Sequence, residues 1–516
     1  MAGKSGKMME KPIRSIKTVR KTRPRMERCL GGFFTGPLYA AGEAKERPRG
    51  ERKAAGSFRL GPMERAPTWP AALEAHELSR QPGVAGLLVA LRGRSGCVAL
   101  DSVAGSPRRW SWVACEPRVE ISESSLEFSD LRRWCAKGSC ATDIPGPFAG
   151  GFLGALAYDL GVAGETQNLP ADPWSTPAVL GGLYAEFFVI DHQAGRAWFV
   201  SGDDFRGARR AELIELAESA GMDEPRDFEQ VSALRRLVSR EEHMARIERT
   251  REWILAGEFY QANLAHPLEA DTRGDPLDLY LALRQRNPAP YAAFLGGKDF
   301  ALISSSPELL LEVCGAEART QPIKGTRERS PNPIEDQRRA QELCASEKDR
   351  AELAMIVDLE RNDLGRVART GSVRVDEFQA LRSFENVHHL TADVCCRLAE
   401  GRDGVDALAA LFPGGSISGA PKLRAMQAIC DLEGEGRGFF TGSMGFVSCG
   451  GDLAFNILIR TLLWRRTGTA SEGQVRFHVG GGITWSSDPA AEDDETLAKG
   501  ERLAAALMGL PKEVRS

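Results

Sequence analysis

Lys324 and Glu308 are the first residues in this 516-residue chain whose types and spacing suggest chemistry. Lys324 lies in Gln321-Pro322-Ile323-Lys324-Gly325-Thr326-Arg327, between a proline and a glycine that predict a tight turn. Sixteen residues upstream, Glu308 closes Ser304-Ser305-Ser306-Pro307-Glu308. An amine in a partly dry pocket loses proton affinity and becomes a nucleophile. The alternative at this level is a lysine on a surface loop, and the string alone leaves both open.

Four carboxylates fall in two spaced pairs. Ser346-Glu347-Lys348-Asp349 predicts a helix start with Ser346 as cap, which places Asp349 and Glu352 on one face. Asp488-Pro489 predicts a second start, with Glu492 and Glu495 at the same spacing and Lys499 one turn on. Like charges at this spacing repel unless a cation intervenes. Two such pairs could hold one Mg²⁺, a hard cation that takes a few carboxylates and keeps waters. Ordinary solvated helix starts would look the same, because acids favour first turns.

Two glycine runs and an arginine suggest anion binding. Phe412-Pro413-Gly414-Gly415-Ser416-Ile417-Ser418-Gly419-Ala420-Pro421-Lys422 precedes a helical stretch, Leu423 to Leu432. It lacks the spacing of a nucleotide-binding P-loop. Val479-Gly480-Gly481-Gly482-Ile483 follows a strand-like segment, Val475 to Val479. Arg460, inside the apolar run Phe455 to Leu463, is expected in a buried strand, where it needs a carboxylate from the protein or from a ligand.

The elements that must position these groups are partly legible. Val84 to Leu91 and Cys97 to Leu100 read as strands bounded by glycines. Gly150 to Asp159 is apolar and glycine-rich, which suggests close backbone packing. Phe187 to Asp191 and Ala197 to Val200 suggest a hairpin, and Arg209 to Ala220 a helix. Ser239-Arg240-Glu241-Glu242 is a capping box opening a helix to about Ala256, with Gly257 as its stop. The expected division is a basic, disordered extension over 1–62, an N-terminal domain over 65–230 and a catalytic domain over 239–512. The extension holds ten Lys/Arg between Met1 and Arg28 against Glu10 and Glu27, without the apolar core of a secretory signal.

Composition excludes several classes. A net charge of −4 carries no nucleic-acid or membrane signal, and no apolar run approaches a membrane span. The 11 cysteines are scattered without a CxxC pair, which suggests a reduced, cytoplasmic protein.

Together these strings resemble the chorismate-utilising enzymes, over about residues 80 to 516 and densely from Gly257 onward. The resemblance rests on Gly257 to Leu264, Ser305-Ser306-Pro307-Glu308 and Pro322-Ile323-Lys324-Gly325-Thr326. It continues through Ile356 to Gly365, Val387-His388-His389-Leu390, Gly415 to Lys422 and Glu492 to Thr496. It implies an α/β (α+β) fold: two halves with large antiparallel sheets packed as a sandwich, helices outside and the active site in a cleft. It also implies that Glu352 and Glu495 coordinate Mg²⁺, with Asp349 and Glu492 assisting through water. Gly482 and Lys499 would contact the ring carboxylate of chorismate, Arg460 the enolpyruvyl carboxylate, and Ser416 and His389 the ring.

Two positions divide the family's reactions. Gln261 stands where isochorismate-forming members carry a lysine base, which argues against water addition. Lys324 stands where anthranilate synthases usually carry alanine, and resembles the aminodeoxychorismate-forming class. There the lysine is thought to attack C2 of chorismate while Glu308 protonates the departing C4 hydroxyl, after which ammonia adds at C4. No glutaminase cysteine elbow with a downstream His-x-Glu is found, so a separate glutamine amidotransferase partner is implied. Anthranilate formation and a non-catalytic chorismate-binding scaffold are the alternatives. Phe440 departs from the tyrosine of many relatives, and Leu100-Asp101-Ser102 matches the tryptophan-sensing string only loosely.

Overall fold

The computed structural model describes residues 68–508 except 104–107, 137–143, 164, 167–168, 222–225 and 227, so the basic extension lies outside the described residues. Two large antiparallel sheets, of 13 and 10 strands, organise the described residues into one compact unit. Both sheets draw strands from the two sequence halves. In the larger one, Val98–Asp101 pairs with Tyr291–Gly296; in the smaller, Gly151–Leu156 pairs with Ser443–Ser448.

The sheets face each other across an apolar layer that includes Leu100, Trp112, Leu153, Phe187, Leu302 and Phe446. The Trp112 and Phe446 rings, one from each sheet, meet with centroids 5.1 Å apart. Burying side chains of this size contributes roughly 1.5–3 kcal/mol each. Helices cover the outer faces. Leu87, Leu213, Leu283 and Leu503 pack on the larger sheet, and Leu353, Val357, Leu364 and Met426 on the smaller.

Most expected elements are present. The hairpin pairs Phe187–Asp191 with Arg196–Gly202. The Ser239 hydroxyl caps the helix Arg240–Leu255 through Glu242 N, and Gly257 beyond it has a φ of 83°. Ser346 and Asp488 cap the two acidic helices, Glu347–Gly365 and Pro489–Leu507. Close packing at Gly154 and Gly181 is real: a Cβ on either would lie 2.3–2.4 Å from a carbonyl oxygen of the neighbouring strand.

Three local expectations are corrected. Val84–Ala90 is a helix, not a strand; its buried Val84, Leu87, Leu88 and Leu91 follow helical spacing, and the continuous apolar run concealed it. Arg460 is not inside a strand. It lies with a φ of 51° between Leu453–Asn456 of one sheet and Thr461–Arg466 of the other. Lys324 is in an edge strand, Ile323–Glu328, rather than a tight turn.

Candidate functional site

The site begins where the chain crosses between sheets. One link joins Phe300–Ser306 of the larger sheet to Leu309–Cys314 of the smaller and carries Glu308. The other carries Arg460. They run side by side: Ile457 N donates to Glu308 O at 3.0 Å, Ser305 N to Arg460 O at 3.1 Å, and Ser306 Oγ to Ile457 O at 2.5 Å. An acid and a cation are thus fixed on adjoining backbone. Burial pushes the Glu308 carboxyl above its ordinary range, with Lys324 and Arg460 pulling the other way. Burial and Arg502 bring Arg460 down to about 10. No protein carboxylate pairs with its guanidinium among the described residues, so the requirement for an anion is left to a ligand.

Lys324 reaches the same place from the edge strand. The pairing register with Val387–Arg397 slips between Lys324 and Thr326, and Gly325 takes a φ of 73° at the bulge. A Cβ there would lie 2.9 Å from Asp349 Cγ, so glycine also admits the first acidic helix. Lys324 Nζ donates to Ser416 O at 3.1 Å. Burial pulls its amine below the ordinary range, opposed by Glu352 and Glu308. His389 Nδ1 lies 3.2 Å from Gly325 O and 3.0 Å from the Thr326 hydroxyl. Burial holds this imidazole neutral, with a pKa of about 3.

Gln261 and the glycine run form another wall. Asn263 pairs with Gly482 in the larger sheet, and a Cβ on Gly482 would fall 1.9 Å from Gln261 Nε2. Lys499 Nζ donates to Gly480 O at 3.4 Å and pairs with Glu495 at 2.9 Å. Three polar atoms are buried without a hydrogen-bond partner among the described residues: His389 Nε2, Gln261 Oε1 and Glu352 Oε1. Each belongs to a residue the sequence singled out, and burial without partners suits a polar ligand.

The four acids come from the two helices as expected, but they do not form a closed cage. Lys348 Nζ lies 4.0 Å from Glu352 and 3.7 Å from Glu492, occupying the position of a shared countercharge. Asp349 pairs with Arg327 at 3.2 Å, and Glu492 accepts from Ser487 Oγ at 2.8 Å. Burial raises the Glu352 carboxyl. Burial would raise Glu495 too, but Lys499 brings it below its ordinary value. An all-oxygen, incompletely satisfied set fits a cation that completes its shell with water and substrate oxygens.

Among the described residues, three metal-ligand atoms gather within 4.8 Å at His243, His266 and Asp493. That carboxylate is already bound by Arg236, by Arg240 at 3.1 Å and by His243 Nδ1 at 2.7 Å. The cluster is an ionic lock joining the helix Arg240–Leu255 to the helix that carries Glu492, Glu495 and Lys499.

The loop before Leu423 contributes differently from its sequence appearance. Gly415–Ile417 is a short 3₁₀ turn presenting Ser416, and Lys422 pairs with Asp363 at 2.5 Å rather than awaiting an anion. Phe440 stacks on His478 at 4.7 Å. Asp101 is held by Tyr280 Oη at 2.9 Å and Arg284 Nε at 2.5 Å. Sequence reasoning missed the bridging role of Lys348 and the buried Glu360, which had appeared only as letters inside a longer motif.

The model of the family described as chorismate binding enzyme matches residues 103–505. Aminodeoxychorismate synthase component 1 of Escherichia coli (strain K12) is 40% identical over 358 residues, 69% of this chain and 77% of that protein. Anthranilate synthase component 1 of Streptomyces coelicolor is 37% identical over 431 residues, 78% of this chain and 82% of its own length. The crystal structure of anthranilate synthase component I from Streptococcus pneumoniae TIGR4 superposes with a TM-score of 0.68 at 30% identity, covering 78% of this chain and 93% of that one.

Proposed function

This chain belongs to the chorismate binding enzyme family, and on that premise we propose that it is the chorismate-aminating component of an aminodeoxychorismate synthase. It would convert chorismate and ammonia to 4-amino-4-deoxychorismate, a precursor of p-aminobenzoate and folate, in the cytoplasm. No helix among the described residues is long and apolar enough to cross a membrane. The observation that carries the reading is a half-buried lysine at position 324, next in its strand to Ile323, whose N–H donates at 3.2 Å to the buried acid Glu308.

The residues divide the work as follows. Arg460 binds the enolpyruvyl carboxylate, answering its lack of a protein partner. Lys499 and the Gly482 N–H hold the ring carboxylate, and His389 and Ser416 border the ring. Glu352 and Glu495 would hold Mg²⁺, with Asp349 and Glu492 acting through water. When bound, the ion supplies Lewis-acid clamping of the ring carboxylate. Lys324, whose proton affinity burial lowers, attacks C2 as the free amine while Glu308 gives its proton to the C4 oxygen, which leaves as water. Ammonia then forms the C–N bond at C4, the bond to Lys324 breaks and the ring double bonds return. The enolpyruvyl group stays on the ring. Ammonia comes from a glutamine amidotransferase subunit, in keeping with the component 1 designation of the relatives.

Anthranilate formation is the second reading, favoured by the longer match to the Streptomyces protein. Incubation with chorismate, Mg²⁺ and an ammonium salt separates them. The expected product is an amino-chorismate that a lyase converts to p-aminobenzoate. Fluorescent anthranilate with released pyruvate would overturn the assignment.

A further inference from the structure

Arg437 lies buried behind the site, and no step given above uses it. It follows the helix Lys422–Glu433 after a stop at Gly434, whose φ is 72°. All the N–H groups of its guanidinium are taken. Nε donates to Glu433 Oε2 at 2.9 Å and Nη2 to Glu433 Oε1 at 2.7 Å. Nη2 also donates to Asn263 O at 2.6 Å, and Nη1 to Ile417 O and Thr441 Oγ, each at 3.2 Å. The guanidinium lies over the rings of Tyr158 and Phe440, 4.9 and 5.4 Å from their centroids.

Those acceptors belong to separate walls of the site. Asn263 pairs with Gly482 in the larger sheet, on the strand that begins at Gln261. Its own N–H donates to Ser418 O at 3.0 Å, so this peptide is held on both sides. Ile417 follows Ser416, whose carbonyl oxygen accepts from Lys324 Nζ. Thr441 N donates to Leu458 O at 2.9 Å, in the link that carries Arg460. Thr441 has a φ of 60°, an uncommon setting for a β-branched residue, and its hydroxyl accepts from Arg437 while donating to Phe440 O. Glu433 extends the same hub, because its Oε1 also accepts from Ala265 N at 2.9 Å. One planar cation thus spans the wall that carries Gly482 and the turn that aims the amine.

A buried ion pair is a weak source of stability, because desolvating both charges offsets their attraction. What this pair supplies is geometry. A lysine would keep a charge beside Glu433, but its donors radiate from one point and cannot serve Asn263 O and Ile417 O together.

We propose that Arg437 is a positioning residue: its guanidinium, held by Glu433, sets the spacing between the Asn263–Gly482 wall and the Ser416 turn, and so aligns Lys324 with bound chorismate. This rests on the roles given above for those walls. Chorismate itself is anchored by Arg460 and Lys499, so binding survives the loss of the guanidinium while chemistry does not.

The test is Arg437→Lys, studied well below its thermal midpoint. Calorimetric titration with chorismate and Mg²⁺, without ammonia, gives Kd; steady-state turnover with an ammonium salt gives kcat. The expected fall in kcat is on the order of 10²-fold, the scale of a misplacement of about 1 Å, with Kd for chorismate changed less than about threefold. A lowered thermal midpoint with wild-type kcat would mean a structural role only and would overturn the proposal. A Kd weakened as much as kcat would overturn it too, by placing Arg437 in substrate binding. If Arg437→Lys does not fold, the double variant Glu433→Leu with Arg437→Met strands no charge and carries the same test with the same outcomes. Product identity is read separately. Anthranilate from both proteins, made more slowly by the variant at unchanged Kd, would remove the assigned reaction and leave the positioning role. Aminated chorismate made by the variant at the wild-type rate would remove the positioning role alone.

Discussion

Lys324 Nζ donates to the Ser416 carbonyl oxygen across 3.1 Å, tying the edge strand of the smaller sheet to the 3₁₀ turn before the Lys422–Glu433 helix. The bond fixes where the amine points before any substrate arrives. Its acceptor is uncharged, so it does not hold the proton as a carboxylate would.

Lys324→Ala should therefore abolish amination with little loss of stability. The expected fall in kcat is on the order of 10²-fold or more. Mass spectrometry of the wild type quenched during turnover with chorismate should find an adduct at Lys324, absent from the variant. An adduct elsewhere would remove the covalent role.

Glu360 links pH to stability. The folded protein holds its proton up to about 8, whereas the ordinary value is 4.5. Between those values the folded state binds more protons than the unfolded state, so stability falls as pH rises through the window. The contribution is on the order of 5 kcal/mol. Urea midpoints should drop between about pH 5 and 8.5 in the wild type and drop less in Glu360→Gln. Parallel curves would contradict the raised pKa.

Asp493 should prove structural. Its carboxylate answers Arg236, Arg240 and His243 at once; burial alone would raise it, and Arg236 and His243 hold it at about 2. Asp493→Ala strands those charges and should cost about 3–5 kcal/mol by calorimetry. His266→Leu should be tolerated, because neither ring nitrogen of His266 has a partner among the described residues.

Gly482→Ala tests the Gln261 wall. The added Cβ meets the mobile end of a side chain rather than backbone, so the fold should survive. Displaced Gln261 should raise KM for chorismate about tenfold, a loss of about 1.4 kcal/mol. An unchanged KM would place the ring away from this wall.

Glu352→Gln should weaken dependence on Mg²⁺ far more than it weakens the fold. Burial already disfavours the Glu352 charge, and the substitution removes a negative group from beside Asp349 and Glu492. Activity titrated with Mg²⁺ after chelation is the measurement. An unaltered titration would remove Glu352 from the metal site.

Much of this site was legible in the sequence because its residues come in short strings whose local rules are strong. Ser346 and Asp488 announce two helix starts, and i, i+3 spacing then sets the acids on one face. Gly325, expected in a tight turn, sits instead at a β-bulge, and Gly482 leaves room for the Gln261 side chain. Local rules failed where the answer depended on what lay opposite. Val84 to Leu91 is apolar throughout, so its period could not tell strand from helix; the partners of its buried face decided. Arg460 looked like a strand residue because the apolar letters on either side belong to different sheets, and only the crossing between them shows that the chain turns at the arginine. Glu360 and Lys348 were hidden for the same reason. The sequence by itself determined which groups could act, since residue type sets charge, nucleophilicity and helix face. Tertiary structure alone decided which were left buried and unanswered, because desolvation and missing countercharge arise only when distant segments close around a residue.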